Sequence, residues 1–274
     1  MAINIIKTNK SGLCFVGDMH GEFNSINGLM KRTEFTDTIY LFCGDIGVGF
    51  EKEQHYKNIF NKLGKTAARF NNECIFIRGN HDSKEYFNGK KINRKYFKAI
   101  PDYTVIQTPA HNILCVGGAT SIDRTYRLVK YREKAMKYAI YHGCSIDEAY
   151  LYCPKGYWSD EATVYDEEAL NELKESGIKI DIVATHTCPS FAKPITKEGI
   201  QYWLTEDPTL EADIDAERKT MDDLYNKLIE DDHPLYKWFY GHYHFHNQEY
   251  INGIQFVMLD KWRNGNFDIY DLRF

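Results

Sequence analysis

Short apolar, β-branched runs punctuate the chain at Gly12–Gly17, Thr38–Cys43, Glu73–Arg78, Asn112–Val116, Asp181–Thr185, Trp238–Gly241 and Ile254–Leu259. Their length and their Gly, Asn and Asp boundaries predict strands. Longer stretches with apolar residues at helical spacing predict helices over Phe23–Thr33, Glu53–Phe70, Arg127–Tyr141, Asp166–Glu175 and Leu210–Glu230. The early strands alternate with helices, which predicts βαβ units and a mainly parallel start to an α/β fold. The C-terminal runs follow one another through turns such as Ile251-Asn252-Gly253 and Asn264-Gly265-Asn266, a pattern that predicts antiparallel pairing. Residues 121–177 lack strong strand signals and are rich in Tyr and charge. They read as a helical insertion or cap within a single domain spanning 1–274, since no linker sets them apart.

Composition narrows the class. A chain of 274 residues can bury a large core without disulfide staples. Hydrophobic residues at 43% and charged residues at 27% are ordinary for a globular protein. The formal net charge of −5 disfavours an extended nucleic-acid surface, which needs basic patches to release counterions. The seven cysteines are odd in number and form no CxxC pair, so they read as free thiols in a reducing compartment. No window approaches 18 apolar residues and the N-terminus lacks a secretory signal, so the expected location is the cytoplasm, away from membrane.

The chemistry concentrates in five clusters, each just after a predicted strand, where open α/β sheets place ligands. In Gly17-Asp18-Met19-His20-Gly21, a hard carboxylate and a borderline imidazole stand two residues apart and can face one cation. Gly44-Asp45-Ile46-Gly47 offers a carboxylate that either bridges metals or caps a turn. In Arg78-Gly79-Asn80-His81-Asp82, Asn80 offers a neutral oxygen. His81 can stay off the metals and donate a proton, with Asp82 orienting it. The plain alternative is an Asn-rich turn with a helix-capping Asp. Thr185-His186-Thr187 adds one imidazole, and Gly241-His242-Tyr243-His244 adds two in phase on an extended segment. His246 continues that alternation, and the pattern leaves its role open.

In this order, D-x-H, GD, GNHD, H and GHxH, the sequence resembles the calcineurin-like metallophosphoesterase superfamily from about Leu13 to about Leu259. The resemblance implies a four-layer α/β/β/α sandwich of two mixed sheets flanked by helices, with metals at the strand ends. It implies two divalent metal ions, manganese foremost, with iron, zinc or nickel also compatible with the donors. Asp18, His20 and His244 would hold one ion, Asn80, His186 and His242 the other, and Asp45 both. It also implies hydrolysis of a phosphomonoester or phosphodiester by a metal-activated hydroxide, with His81 as general acid and Asp82 orienting it.

Arg78 resembles the Arg of the R-G-N-H-E signature in Ser/Thr protein phosphatases and diadenosine tetraphosphate hydrolases, where it would fork onto phosphate. The run Gly44-Asp45-Ile46-Gly47-Val48-Gly49-Phe50 departs from the GDxVDRG of that branch, and Asp82 replaces its Glu. The loop Gly117–Arg124 looks like one in bacterial and phage members, and there Arg124 and Arg127 either meet substrate or open a solvated helix. Tyr157, Trp158, Asp160 and Glu161 read either as a lid or as packing of the insertion. The substrate classes left open are a phosphorylated small molecule, a nucleotide or a phosphopeptide. The alternatives are a Ser/Thr protein phosphatase, a nuclease and a non-catalytic metal-binding scaffold.

Overall fold

The computed structural model describes residues 3–273. In chain order its elements are β1 (Ile5–Lys7), β2 (Gly12–Val16), α1 (Phe23–Thr33), β3 (Thr38–Phe42), α2 (Glu53–Phe70), β4 (Glu73–Phe76), β5 (Asn93–Arg94), β6 (Phe97–Ala99), β7 (Thr104–Gln107) and β8 (Asn112–Val116). Then come α3 (Arg124–His142), α4 (Ile146–Tyr152), α5 (Glu167–Ser176), β9 (Ile182–Thr185), α6 (Ile200–Glu206), α7 (Leu210–Glu230), β10 (Lys237–Tyr240), β11 (Asn247–Ile251), β12 (Ile254–Met258) and β13 (Ile269–Arg273).

The strands form two mixed sheets. One has the order β13-β2-β3-β4-β6-β5 and the other β1-β7-β8-β9-β10-β12-β11. Strands β2, β3 and β4 run parallel, as do β8, β9, β10 and β12. Burial on both faces explains why these strands read as continuous apolar runs and not as alternating ones. Alternate residues of each strand serve different layers. Leu13, Phe15, Ile39, Leu41 and Ile75 meet Ile113, Ile182, Ala184, Phe239 and Val257 between the sheets. The rings of Phe15 and Phe239 stack with centroids 3.6 Å apart across that interface.

The opposite faces are covered by helices. Cys14, Val16, Tyr40, Phe42 and Phe76 pack under Ile26 and Leu29 of α1 and Tyr56 and Phe60 of α2. Leu114, Val183, Trp238 and Phe256 pack under Leu170 and Leu173 of α5 and Met221, Leu224 and Leu228 of α7. The result is a four-layer α/β/β/α sandwich. Each fully buried large apolar side chain in it contributes about 1.5–3 kcal/mol by leaving water.

Two points differ from the sequence reading. The hairpin at Asn252-Gly253 joins antiparallel β11 and β12 as expected. The turn at Asn264-Gly265-Asn266 does not prolong that sheet: the chain crosses over and β13 pairs antiparallel with β2 in the other one. An exposed β2 edge is a pairing template, and β13 covers it. Within 121–177, α3 and α4 form a helical hairpin, while α5 belongs to the outer layer. Helix α3 buries only Ala135 and leaves Tyr126, Leu128, Val129, Met136 and Ile140 exposed.

Candidate metal centre

The five clusters emerge from the C-terminal ends of β2, β3, β4, β9 and β10. Both parallel sets point the same way, so loops from two sheets meet over one seam. Tight packing there explains the glycines in the motifs. A Cβ on Gly79 would fall onto the Asp45 backbone nitrogen and carboxylate, and one on Gly241 onto the Asp18 carboxylate.

Asp18, His20, Asp45 and His244 bring one potential ligand atom each within 4.8 Å of one another. The Nε2 atoms of His20 and His244 are 3.1 Å apart, and His244 Nε2 lies 3.4 Å from Asp18 Oδ2. Beside this group, Asn80 Oδ1 lies 3.1 Å from His186 Nε2 and 2.9 Å from His242 Nδ1. His186 Nε2 also lies 3.2 Å from Asp45 Oδ1. Asp45 therefore borders both groups. Oxygen and nitrogen lone pairs converge here, and a cation would reconcile them. The mixture of carboxylates, an amide oxygen and imidazoles suits divalent first-row metals.

The electrostatics point the same way. Asp18 and Asp45 are buried. Burial would raise the Asp45 carboxyl, but His186, His81 and His20 around it hold it well below the usual carboxylate range. Burial opposes protonation of His186, yet the charges of Asp45 and Asp18 lift it to about 9. Two buried carboxylates thus demand positive charge from whatever shares the site.

The surroundings fix the donors. His186 donates from Nδ1 to the Cys43 carbonyl at 2.7 Å, which turns Nε2 toward the centre. Asp18 accepts the His242 backbone N–H at 3.1 Å. Asn80 donates from Nδ2 to Ser121 Oγ at 2.9 Å, and Ser121 is held by the Glu161 carboxylate through its backbone N–H and its hydroxyl. That chain aims Asn80 Oδ1 at the ring nitrogens of His186 and His242. Burial pushes the Glu161 carboxyl up to about 8.

His81 donates its backbone N–H to Asp45 Oδ1 at 2.8 Å, and its ring stands edge-on to His20 with centroids 4.9 Å apart. Its Nε2 accepts from the Arg127 guanidinium. Burial pushes the imidazole down to about 3, opposed by Asp45 and reinforced by Arg127. His81 lies between two cavities. One, of about 550 Å³, is lined by His20, His81, Arg127, Lys197, Trp203, His244 and Trp262 among others. The other, of about 280 Å³, is lined by His20, Phe23, Phe50, His55, Tyr56 and His81 among others.

Several expected roles fall elsewhere. Asp82 does not touch His81. Its carboxylate accepts the backbone N–H groups of Ile46, Gly47, Val48 and Gly79 at 2.8–3.0 Å, so it ties the Asp45 loop to the Asn80 loop. Burial, with the Asp45 charge, pushes its carboxyl up to about 7 against those bonds. Arg78 does not reach the cleft. It is fully buried, and its guanidinium is taken up by the carbonyls of Glu161 and Ala162 and by the Asp102 carboxylate. Arg124 is paired with Asp207 and Asp213 and lines a different cavity, with Tyr157 and Glu161. Trp158 packs on Phe50, with ring centroids 5.0 Å apart. His246 turns away to Asp268 at 2.7 Å. The sequence reading missed Ser121 and Lys197. Lys197 lies in no motif, Ser121 has no role assigned within the Gly117–Arg124 loop, and only the fold brings each to the site.

The sequence over residues 13–246 matches the calcineurin-like phosphoesterase family. Solved structures of similar architecture include a dimetal phosphatase from Danio rerio, 11% identical, covering 93% of this chain and 88% of that one, with a TM-score of 0.43. A phosphopantetheinyl hydrolase from Mycobacterium tuberculosis is 12% identical, with 95% of this chain and 91% of that one covered and a TM-score of 0.39. A protein serine/threonine phosphatase from Saccharomyces cerevisiae is 12% identical, with 99% and 84% covered and a TM-score of 0.38. No curated protein matches by sequence. With residues 13–246, most of its length, matched, the chain belongs to the calcineurin-like phosphoesterases.

Proposed function

We propose that this phosphoesterase hydrolyses the ester of a small phosphorylated molecule at a centre of two divalent metal ions. The observation that carries this reading is the convergence of seven donors from five loops into two groups sharing Asp45. Two divalent cations held there would lower the pKa of water and neutralise charge on the phosphoryl oxygens. Asp18, His20 and His244 would hold one ion, Asn80, His186 and His242 the other. Asp45 would serve both, which fixes their spacing through a single carboxylate. His81 stands beside the centre without being needed as a ligand, and its role is to protonate the leaving oxygen from Nε2. For that, Arg127 must give up its contact with Nε2 when substrate is present and Nε2 must take up a proton, since a nitrogen that accepts has none to give. The loop tie through Asp82 keeps Asp45 and His81 in register.

Manganese is the expected ion, with iron, zinc and nickel compatible with the same donors. The test is hydrolysis of p-nitrophenyl phosphate and bis-p-nitrophenyl phosphate by metal-stripped protein, with Mn, Ni, Zn or Mg restored singly. The expected result is turnover that returns with metal and falls at least a hundredfold in Asp45→Asn, an order of magnitude typical of losing a ligand that positions charge. Two tightly bound ions without turnover would make the chain a metal-binding scaffold instead. Turnover of folded phosphoproteins at rates like those of small esters would favour a Ser/Thr protein phosphatase.

A further inference from the structure

Three cationic residues line the cleft from outside the ligand loops, Arg127, Lys197 and Lys261, and the first two contact its imidazoles. Arg127 comes from the first turn of α3, and Lys197 from the segment between β9 and α6. Both line the cavity that also exposes His20, His81 and His244. The Arg127 guanidinium is oriented by an ion pair from Nε to Asp123 Oδ1 at 2.8 Å, and its side chain is only 11% exposed. Of its terminal nitrogens, Nη2 lies against His81 Nε2, while Nη1 is buried and donates to nothing among the described residues. A buried charged donor without a partner marks a place where an acceptor from outside belongs. Lys197 Nζ stands 3.5 Å from His242 Nδ1, its one side-chain hydrogen bond among the described residues. The carboxylates nearby do not compete: Asp123 is engaged by Arg127, and Glu22 and Glu198 are exposed at the rim.

We propose that Arg127 and Lys197 are the phosphate anchors of this cleft and that they select phosphomonoesters over phosphodiesters. The selection rests on the two-metal reading above. A monoester phosphoryl group carries about 1.5 to 2 negative charges at neutral pH, whereas a diester carries one. Two cations beyond the metal ions match the larger charge. The planar fork of Arg127 can hold two phosphoryl oxygens at once, which a second ester group would obstruct. With Arg78 and Arg124 committed elsewhere, Arg127, Lys197 and Lys261 are the cations that line this cavity, and of these Arg127 and Lys197 touch imidazoles beside the centre, at His81 and His242.

The experiment compares the metal-loaded full chain with Arg127→Met, Lys197→Met and Arg127→Lys. Metal content and thermal unfolding are checked for each. Binding of inorganic phosphate is read by calorimetry, and kcat/KM is read for p-nitrophenyl phosphate and bis-p-nitrophenyl phosphate. Each Met variant is expected to bind phosphate about ten- to hundredfold more weakly, the range for losing hydrogen bonds to a charged group. The monoester-to-diester ratio should fall with it while metal content stays unchanged. Arg127→Lys should recover part of the affinity but not the ratio, because it restores charge without the fork. Phosphate affinity and ester ratio unchanged in both Met variants would overturn the proposal. If the wild type turns over neither ester with any metal, the hydrolytic reading fails, and the phosphate titration still decides whether these residues are anchors.

Discussion

His20, Asp45, His242 and His244 all adopt positive φ, at 50°, 49°, 69° and 64°. For non-glycine residues that conformation costs on the order of 1–3 kcal/mol each, and it persists only where the surroundings enforce it. Four donors strained in one place fit a centre in which direction matters more than local comfort. At this scale the candidate donors that the fold gathers were legible, because few residue types offer lone pairs of the right hardness and each stood after a strand. Arg78 was not. The same string allows its guanidinium to face the cleft or to turn back into the insertion, and only packing against Glu161 and Ala162 decides. His81 gives the sharpest residue-scale prediction. If it protonates the leaving oxygen, His81→Ala should lower kcat about 10²- to 10⁴-fold for an alkyl phosphate. It should cost far less for p-nitrophenyl phosphate, whose leaving group needs little protonation. Equal losses with both esters would assign His81 to positioning.

Elements were read well where they were long and periodic. Helices α1, α2 and α7 begin and end where apolar spacing placed them. The short ones escaped. Helix α4 has seven residues, too few for periodicity, and its signature is the capping box of Ser145 and Glu148. Strands β1, β5 and β6 are edge or near-edge pieces of two or three residues, defined by their partners more than by composition. The segment after α4 shows how an element's function depends on contacts far along the chain. Its Glu161 grips Ser121, and Ser121 fixes the amide of Asn80. Partners behind metal ligands are typically worth 10–100-fold in affinity. Ser121→Ala should therefore weaken one metal ion of the pair by about that factor and leave the other unchanged, as resolved by calorimetric titration. Two unaltered binding steps would mean that Asn80 keeps its orientation without help from the insertion.

At the scale of the molecule, the sequence reading alone stopped at parallel βαβ units. The stacking of two sheets came from the family resemblance, because the pairing of Phe15 with Phe239 joins residues more than two hundred positions apart. That stacking is also what makes the centre. Asp18, His20, Asp45 and Asn80 come from loops of one sheet, and His186, His242 and His244 from loops of the other. No fragment of the chain holds the whole set, so metal binds the folded state far better than the unfolded one. Binding then stabilises by mass action, about 4 kcal/mol for a site saturated at a thousand times its Kd. Without metal, the buried carboxylates of Asp18 and Asp45 face each other with only imidazoles between them. For a chain of this size each kcal/mol moves Tm by about 2–4 °C. Stripping the protein with a chelator should therefore lower Tm by about 10 °C in one cooperative step, and restoring Mn should bring it back. Asp45→Asn should show a much smaller response to metal, since it removes the carboxylate that both ions share. A Tm that ignores chelation would mean that the hydrophobic layer between the sheets holds the halves together without help, and that the converging donors do not form a binding centre.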